Sequence, residues 1–254
     1  MTLLLLVLLL GAAPLDAVTI PAGPFSRGST RAPDEQPVRE IQLSAYRIDR
    51  TEVTVADYEA FLREGYRLQS AWSEAGWAWR AQHGAVPAMN RSGRQAAHPV
   101  VAVSWFEAAA YCRWRGGALP TEAQWERAAC GGQPGPYPWG TQTTRPARWT
   151  TRMHPTDTLT VATAPVGEDP LPSPTGLKHA AGNVWEWTAD WYHREAYQSG
   201  SGTDPQGPAG GTWRTLRGGS FANLPSYCTC THREPAAPDQ RRLTAGFRCA
   251  YSVP

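Results

Sequence analysis

The chain carries no field of one sign. Its 24 Lys and Arg residues nearly balance 22 Asp and Glu, leaving a formal net charge of +2. No basic stripe stands out, so capture of nucleic acid or another polyanion is excluded as a primary role. Lysine itself is almost missing: Lys178 is the single one, which reflects codon usage rather than chemistry. No internal repeat with a period of roughly 20–50 residues is present, which excludes solenoids and propellers. No Pro/Ser/Gly linker cuts the chain, so one domain is expected. A G-x-S-x-G elbow and a P-loop are both absent, removing serine-hydrolase and nucleotide-binding readings. The histidines His83, His98, His154, His179, His193 and His232 show no close ligand spacing, and a histidine-based zinc site loses support.

Long apolar runs are missing too. The longest, Leu3 to Leu10, falls well short of the roughly 20 residues that span a bilayer. Small residues Gly11, Ala12, Ala13 and Ala17 follow it, and then polar, Pro-containing sequence. This pattern predicts a secretory leader over 1–17 and a domain over 18–254. The expected location is secreted or periplasmic, with no stable membrane span after cleavage, and membrane-anchored if the leader is retained.

What the chain does have is an odd set of cysteines: Cys112, Cys130, Cys228, Cys230 and Cys249. In an oxidising compartment thiols tend to pair, and five cannot all pair within one chain. At least one is free, metal-bound or joined to another molecule. The stretch SYCTCTHRE, residues 226–234, concentrates the question. Taken alone it fits a nucleophile, a soft-metal clamp, half of a bridge, or a mixture of these.

Three helices announce themselves by their ends. Thr54 with Asp57, Ser104 with Glu107 and Thr121 with Gln124 each offer a cap oxygen and a partner three residues on, and each segment runs to a glycine. In the second, Trp105, Ala108, Ala109 and Cys112 share a face, so Cys112 should point inward. After Gly131 the chain breaks into short pieces rich in Gly and Pro, with the 12 tryptophans supplying interior bulk. Strands are predicted at VREIQLSAYRID, HPVVAVSW, TLRGGSF and GFRCAY. Helices early and short strands late predict an α+β class.

In order, IPAG, RIDRTEVTVADYEAF, HPVVAVSWFEAAAYCRWRGGALPTEAQWERAA, YPWG, GLKHAAGNVWEWTADWY, LRGGSF and GFRCA resemble the sulfatase-modifying-factor, or formylglycine-generating-enzyme, family from about Ile20 to the C-terminus. The resemblance implies a variant of the C-type-lectin fold with little regular secondary structure, bound calcium and a cleft for an extended peptide. Active members oxidise a cysteine of a sulfatase to formylglycine, using oxygen and a copper(I) ion held by two cysteines. A soft d10 ion prefers such a thiolate pair. Carried onto this chain, the serine of the GGS turn is Ser220, the second copper cysteine is Cys228, and the first falls on Asn223. The resemblance therefore implies Cys228 and Ser220 as catalytic positions with half of the copper pair replaced. Cys230 is a candidate substitute, since residues two apart on an extended strand share a face.

The family also implies bridges. The cysteine of the second capped helix pairs with that of GFRC, here Cys112 with Cys249. A second family bridge starts from Cys130; its usual partner position falls near Arg233, so Cys230 or Cys228 would have to serve, and Cys230 is favoured, which leaves Cys228 as the odd thiol. GLKHAAGNVWEW matches a calcium loop at His179, Gly182, Val184 and Glu186, with His179 in place of an oxygen ligand. The alternative is a packing motif in which Trp185 and Trp187 fill core. The segment from 147 to 166 shows no counterpart to the family's second calcium loop. Two functions follow: an exported non-oxidase scaffold that binds an extended protein segment or other extracytoplasmic ligand, or a copper-dependent oxidase using Cys228 with or without Cys230.

Overall fold

The computed structural model describes residues 16–83, 96–131, 135–141, 163–169 and 172–253. Its helices are α1 (Val55–Glu64), α2 (Glu74–His83), α3 (Trp105–Trp114) and α4 (Glu122–Cys130). The three predicted ones begin where their caps placed them. Thr54 accepts from the Asp57 N–H, and full reciprocal capping boxes stand at Ser104/Glu107 and Thr121/Gln124. Helix α4 ends at Gly131 in a left-handed conformation, φ 55°. Helix α2 was not predicted. Ser73 Oγ accepts from the Gly76 N–H, so its third helical position is glycine and no capping-box signature shows in the sequence.

The strands are short: β1 (Ala17–Ile20), β2 (Gly23–Arg27), β3 (Arg39–Leu43), β4 (Tyr46–Asp49), β5 (Trp185–Trp191), β6 (Arg214–Arg217), β7 (Glu234–Ala236), β8 (Ala245–Gly246) and β9 (Ala250–Ser252). They form a three-stranded sheet β1-β4-β9, a pair β2-β3, and a four-stranded sheet β7-β6-β5-β8 in which only β5 and β8 run parallel. Helices beside small mixed sheets make the class α+β, as expected. Strand β1 starts at Ala17, and Asp16 pairs with Arg50 at 2.9 Å, so regular structure begins just before the predicted boundary at residue 18. The leader's residues 1–15 lie outside the described residues.

All four strand predictions need correction: GFRCAY runs from the end of β8 into β9, which lie in different sheets. VREIQLSAYRID is two strands in different sheets, because Ser44 turns the chain away and gives its N–H and hydroxyl to Asp204. HPVVAVSW forms no strand of its own: Ala102 has φ 59°, the Val100 N–H donates to the Val53 carbonyl, and the Ala102 N–H donates to the Arg242 carbonyl. In TLRGGSF the strand stops at Arg217, where Gly218 and Gly219 take φ of 90° and 73°.

One core packs α1 and α3 on β5 and β6 through Tyr58, Phe61, Tyr111, Trp187 and Phe247, with Tyr111 and Phe247 edge-to-face at 5.3 Å. The other packs α4 on β1 and β4 through Trp125, Ile20, Ile48 and Leu177. Covalent ties cross this framework. Cys112–Cys249 links α3 to the approach of β9, and Cys130–Cys230 links the end of α4 to the segment after β6. Among the described residues no helix is long and apolar enough to cross a membrane.

Candidate functional site

The segment from 218 to 233 follows β6 and folds back over it. Gly218 and Gly219 allow the reversal, and a Cβ on Gly219 would collide with Cys228 Sγ. Ser220 is fully buried, and its N–H and hydroxyl both donate to Asn223 Oδ1, at 3.1 and 2.6 Å. Asn223 is therefore committed to the turn. The turn is fixed from outside by Asn183, whose carbonyl accepts the Phe221 N–H. A single 3-10 turn, Pro225–Tyr227, then drops Cys228 into the interior.

Cys228 is the single free cysteine, and it is fully buried. Its thiol faces the carbonyls of Leu224 at 3.7 Å and Ser220 at 4.0 Å. Burial pushes that thiol up to about 12, so at neutral pH it is protonated. Cys230, the candidate substitute ligand, is in the bridge to Cys130 for which it was favoured. Its N–H donates to the Pro136 carbonyl, and its carbonyl accepts from Arg217. Of the residues placed at the copper position, one is a locked amide, one a buried thiol and one a disulfide. They do not fit a soft ion that requires two thiolates.

Above the thiol, Leu224 and Tyr227 are 36% and 43% exposed. His232 sits between the rings of Tyr227 at 5.2 Å and Trp185 at 5.7 Å. Its pKa is lowered by burial, and its Nε2 has no hydrogen-bond partner. An apolar rim around a half-buried, partly desolvated imidazole is the chemical surface that this turn presents.

Behind the turn lies a buried ion cluster. Glu122 accepts twice from Arg233, at 2.9 Å each, and lies 3.6 Å from both Arg217 and Arg27. Arg217 donates to Glu126 at 2.6 Å. Burial works against the Glu122 charge, but Arg233, Arg217 and Arg27 outweigh it and pull the carboxyl down to about 2. Asp190, buried beside them, is pushed up by burial and then by Glu122.

The proposed calcium positions are all buried, and the backbone bends there as a binding loop must: His179 and Gly182 have φ of 54° and 88°. Their side chains do not form an oxygen cage. Glu186 supplies the single carboxylate, and both of its oxygens lie in the fork of Arg248, at 2.6 and 2.7 Å, with Trp125 Nε1 donating as well. His179 presents an imidazole, whose Nε2 lies 3.3 Å from the Pro165 carbonyl. The donor set does not fit a hard cation, because a guanidinium already holds the carboxylate. Among the described residues no group of three or more His, Cys, Asp or Glu gathers to hold a metal. Most of the segment assigned to a second calcium loop, residues 147–162, lies outside the described residues.

Sequence reasoning missed Arg248, Glu52 and Asn183. Glu52 is buried and pushed up by burial, with Oε1 accepting from Asn183 Nδ2 and Oε2 unpartnered. Asn183 also accepts the Ala164 N–H on its side chain, and so joins Glu52 to the Ser220 turn. These links span 19 to 131 residues of sequence, beyond any local pattern.

A family profile described as Sulfatase-modifying factor enzyme 1-like domain matches residues 12–253. The chain is 36% identical over 278 residues to the formylglycine-generating enzyme of Streptomyces coelicolor, covering 92% of this chain and 88% of that protein. It is 35% identical over 252 residues to the hercynine oxygenase of Mycobacterium tuberculosis, covering 87% of this chain and 56% of that protein. Among solved structures, Treponema denticola variable protein 1 superposes with a TM-score of 0.72 at 25% identity, over 93% of this chain and 95% of that one.

Proposed function

The chain belongs to the sulfatase-modifying factor family, and on that premise we propose that it is an exported, non-oxidase member that binds an extended protein segment against the rim above Cys228. The observation that carries this reading is the state of Cys228: a buried, protonated thiol with no second thiolate beside it. Fold similarity alone does not carry an activity across a site that has lost its metal ligands. The family itself is chemically diverse, since one relative is named for formylglycine generation and another for hercynine oxygenation.

What remains at the position is suited to contact. Leu224 and Tyr227 offer apolar surface, and the neutral His232 can accept or donate one hydrogen bond to a peptide group. The Cys130–Cys230 bridge anchors the chain just after the turn, which lowers the ordering entropy that opposes binding.

Copper(I) titration of the leaderless protein against a competing chelator, with Cys228→Ser and Cys230→Ser alongside, tests the reading. No binding above the chelator is expected from any of the three. Tight one-to-one binding lost in Cys228→Ser would overturn the non-oxidase reading and restore the oxidase, to be followed by assay of peptide-cysteine oxidation.

A further inference from the structure

Arg27, the last residue of β2, is 6% exposed, yet its Nε and Nη2 have no hydrogen-bond partner. Its guanidinium stacks 3.8 Å from the Tyr197 ring and lies 3.6 Å from Glu122 Oε2, an ion pair too long for a hydrogen bond. Buried donors left unmatched cost free energy that a ligand oxygen would return.

Arg27 also forms a wall of an open cavity of about 660 Å³ under the loop that follows β5. The side chains of His193, Glu195, Gln198, Ser199 and Gln206 line the rest, and the remaining lining residues are small or proline. This volume lies within the usual range for small-molecule sites. The lining alternates donors with acceptors and offers no large apolar side chain to anchor a peptide residue. None of these residues belongs to the Cys228 turn.

Charge decides the ligand class. The buried guanidinium groups of Arg27, Arg217 and Arg233 are matched by the carboxyls of Glu122, Glu126 and Asp190, and Glu195 adds a further carboxylate to the lining. An anionic ligand would meet no net positive field here. We propose that this cavity binds a small neutral polyhydroxylated ligand, of the sugar or polyol class. Hydroxyl oxygens accept from Arg27 and Gln198, while hydroxyl protons go to Glu195 and Ser199.

Saturation-transfer NMR and calorimetry on the full chain test this with glucose, galactose, N-acetylglucosamine and mannitol, and with glucuronate as the charged analogue of glucose. Saturable binding of at least one neutral ligand is expected, with glucuronate weaker than glucose. Arg27→Lys keeps the charge but removes the fork, and should weaken binding about tenfold or more. Gln198→Trp fills the cavity from an exposed position that makes no contact with the ion cluster; it should abolish binding even if Arg27→Lys fails to fold. No saturable binding of any neutral probe, tighter binding of glucuronate than glucose, or wild-type binding by Gln198→Trp would each overturn the proposal.

Discussion

Replacing Glu122 by Gln should destabilise the protein more than most single changes, and the loss should depend on pH in one direction. Glu122 is fully buried and faces three guanidinium groups, Arg233 at 2.9 Å and Arg217 and Arg27 at 3.6 Å. A carboxyl held at about 2 against an ordinary 4.5 corresponds to about 3 kcal/mol of folding free energy. Removing one partner of a buried ion pair independently gives about 3–5 kcal/mol. For a domain of this size that is a melting temperature lower by roughly 6–20 °C. The folded-state pKa lies below the unfolded one, so the contribution is present above about 4.5 and is lost as the pH falls toward about 2. Asp190, whose pKa is raised, acts in the opposite direction, so the wild-type curve alone decides nothing. The readout is the stability gap between wild type and Glu122→Gln, measured by urea denaturation from pH 7 down to pH 3. A gap below about 1 kcal/mol at pH 7, or one that stays constant as the pH falls, would refute the reasoning.

Cys228 should resist iodoacetamide in the native protein: with a pKa of about 12, about one thiol in ten thousand is ionised at pH 8. In denaturant without reductant, mass spectrometry should find one added label per chain, and rapid native labelling would contradict the burial. Chelation with EDTA should leave the melting temperature unchanged, since Arg248 rather than a metal holds Glu186; a fall of several degrees that calcium reverses would show an ion in that loop. Cys112→Ala with Cys249→Ala should lower stability by about 4–5 kcal/mol in the chain-entropy account, read by the same urea titration. Gly219→Ala should cost more than about 1 kcal/mol, because its φ of 73° disfavours a side chain and the new Cβ meets Cys228 Sγ; Gly116, with open space around it, serves as the control site.

Local signals carried much of the framework. Cap residues such as Ser104 with Glu107 act over three positions, and the structure repeats them faithfully. Cys112–Cys249 is the bridge that the family resemblance implied, and Cys130–Cys230 is the favoured of two substitutes for a partner position that this chain lacks, which leaves Cys228 free. Helix α2 escaped because its cap partner is Gly76 rather than Glu or Gln. The HPVVAVSW run misled because apolar β-branched residues also suit an irregular buried segment, and Ala102 in the left-handed region breaks any ladder. The turn that carries Asn223 and Cys228 could be located in the sequence from the GGS run before it. Its supports could not: Arg233 lies 111 residues from Glu122 and Arg248 lies 62 from Glu186. Pairs of this kind follow from tertiary burial, where a charge is tolerated only beside its opposite.

The Arg248–Glu186 pair changes what the fold asks of its surroundings. A bound ion stabilises a protein in proportion to the logarithm of its free concentration, so the folded fraction rises and falls with supply. A cation attached to the chain has no dissociation constant: dilution, chelators and competing ions cannot remove it. The closing of this pair therefore does not follow the supply of divalent cations, whereas Cys112–Cys249 and Cys130–Cys230 follow the redox poise around them.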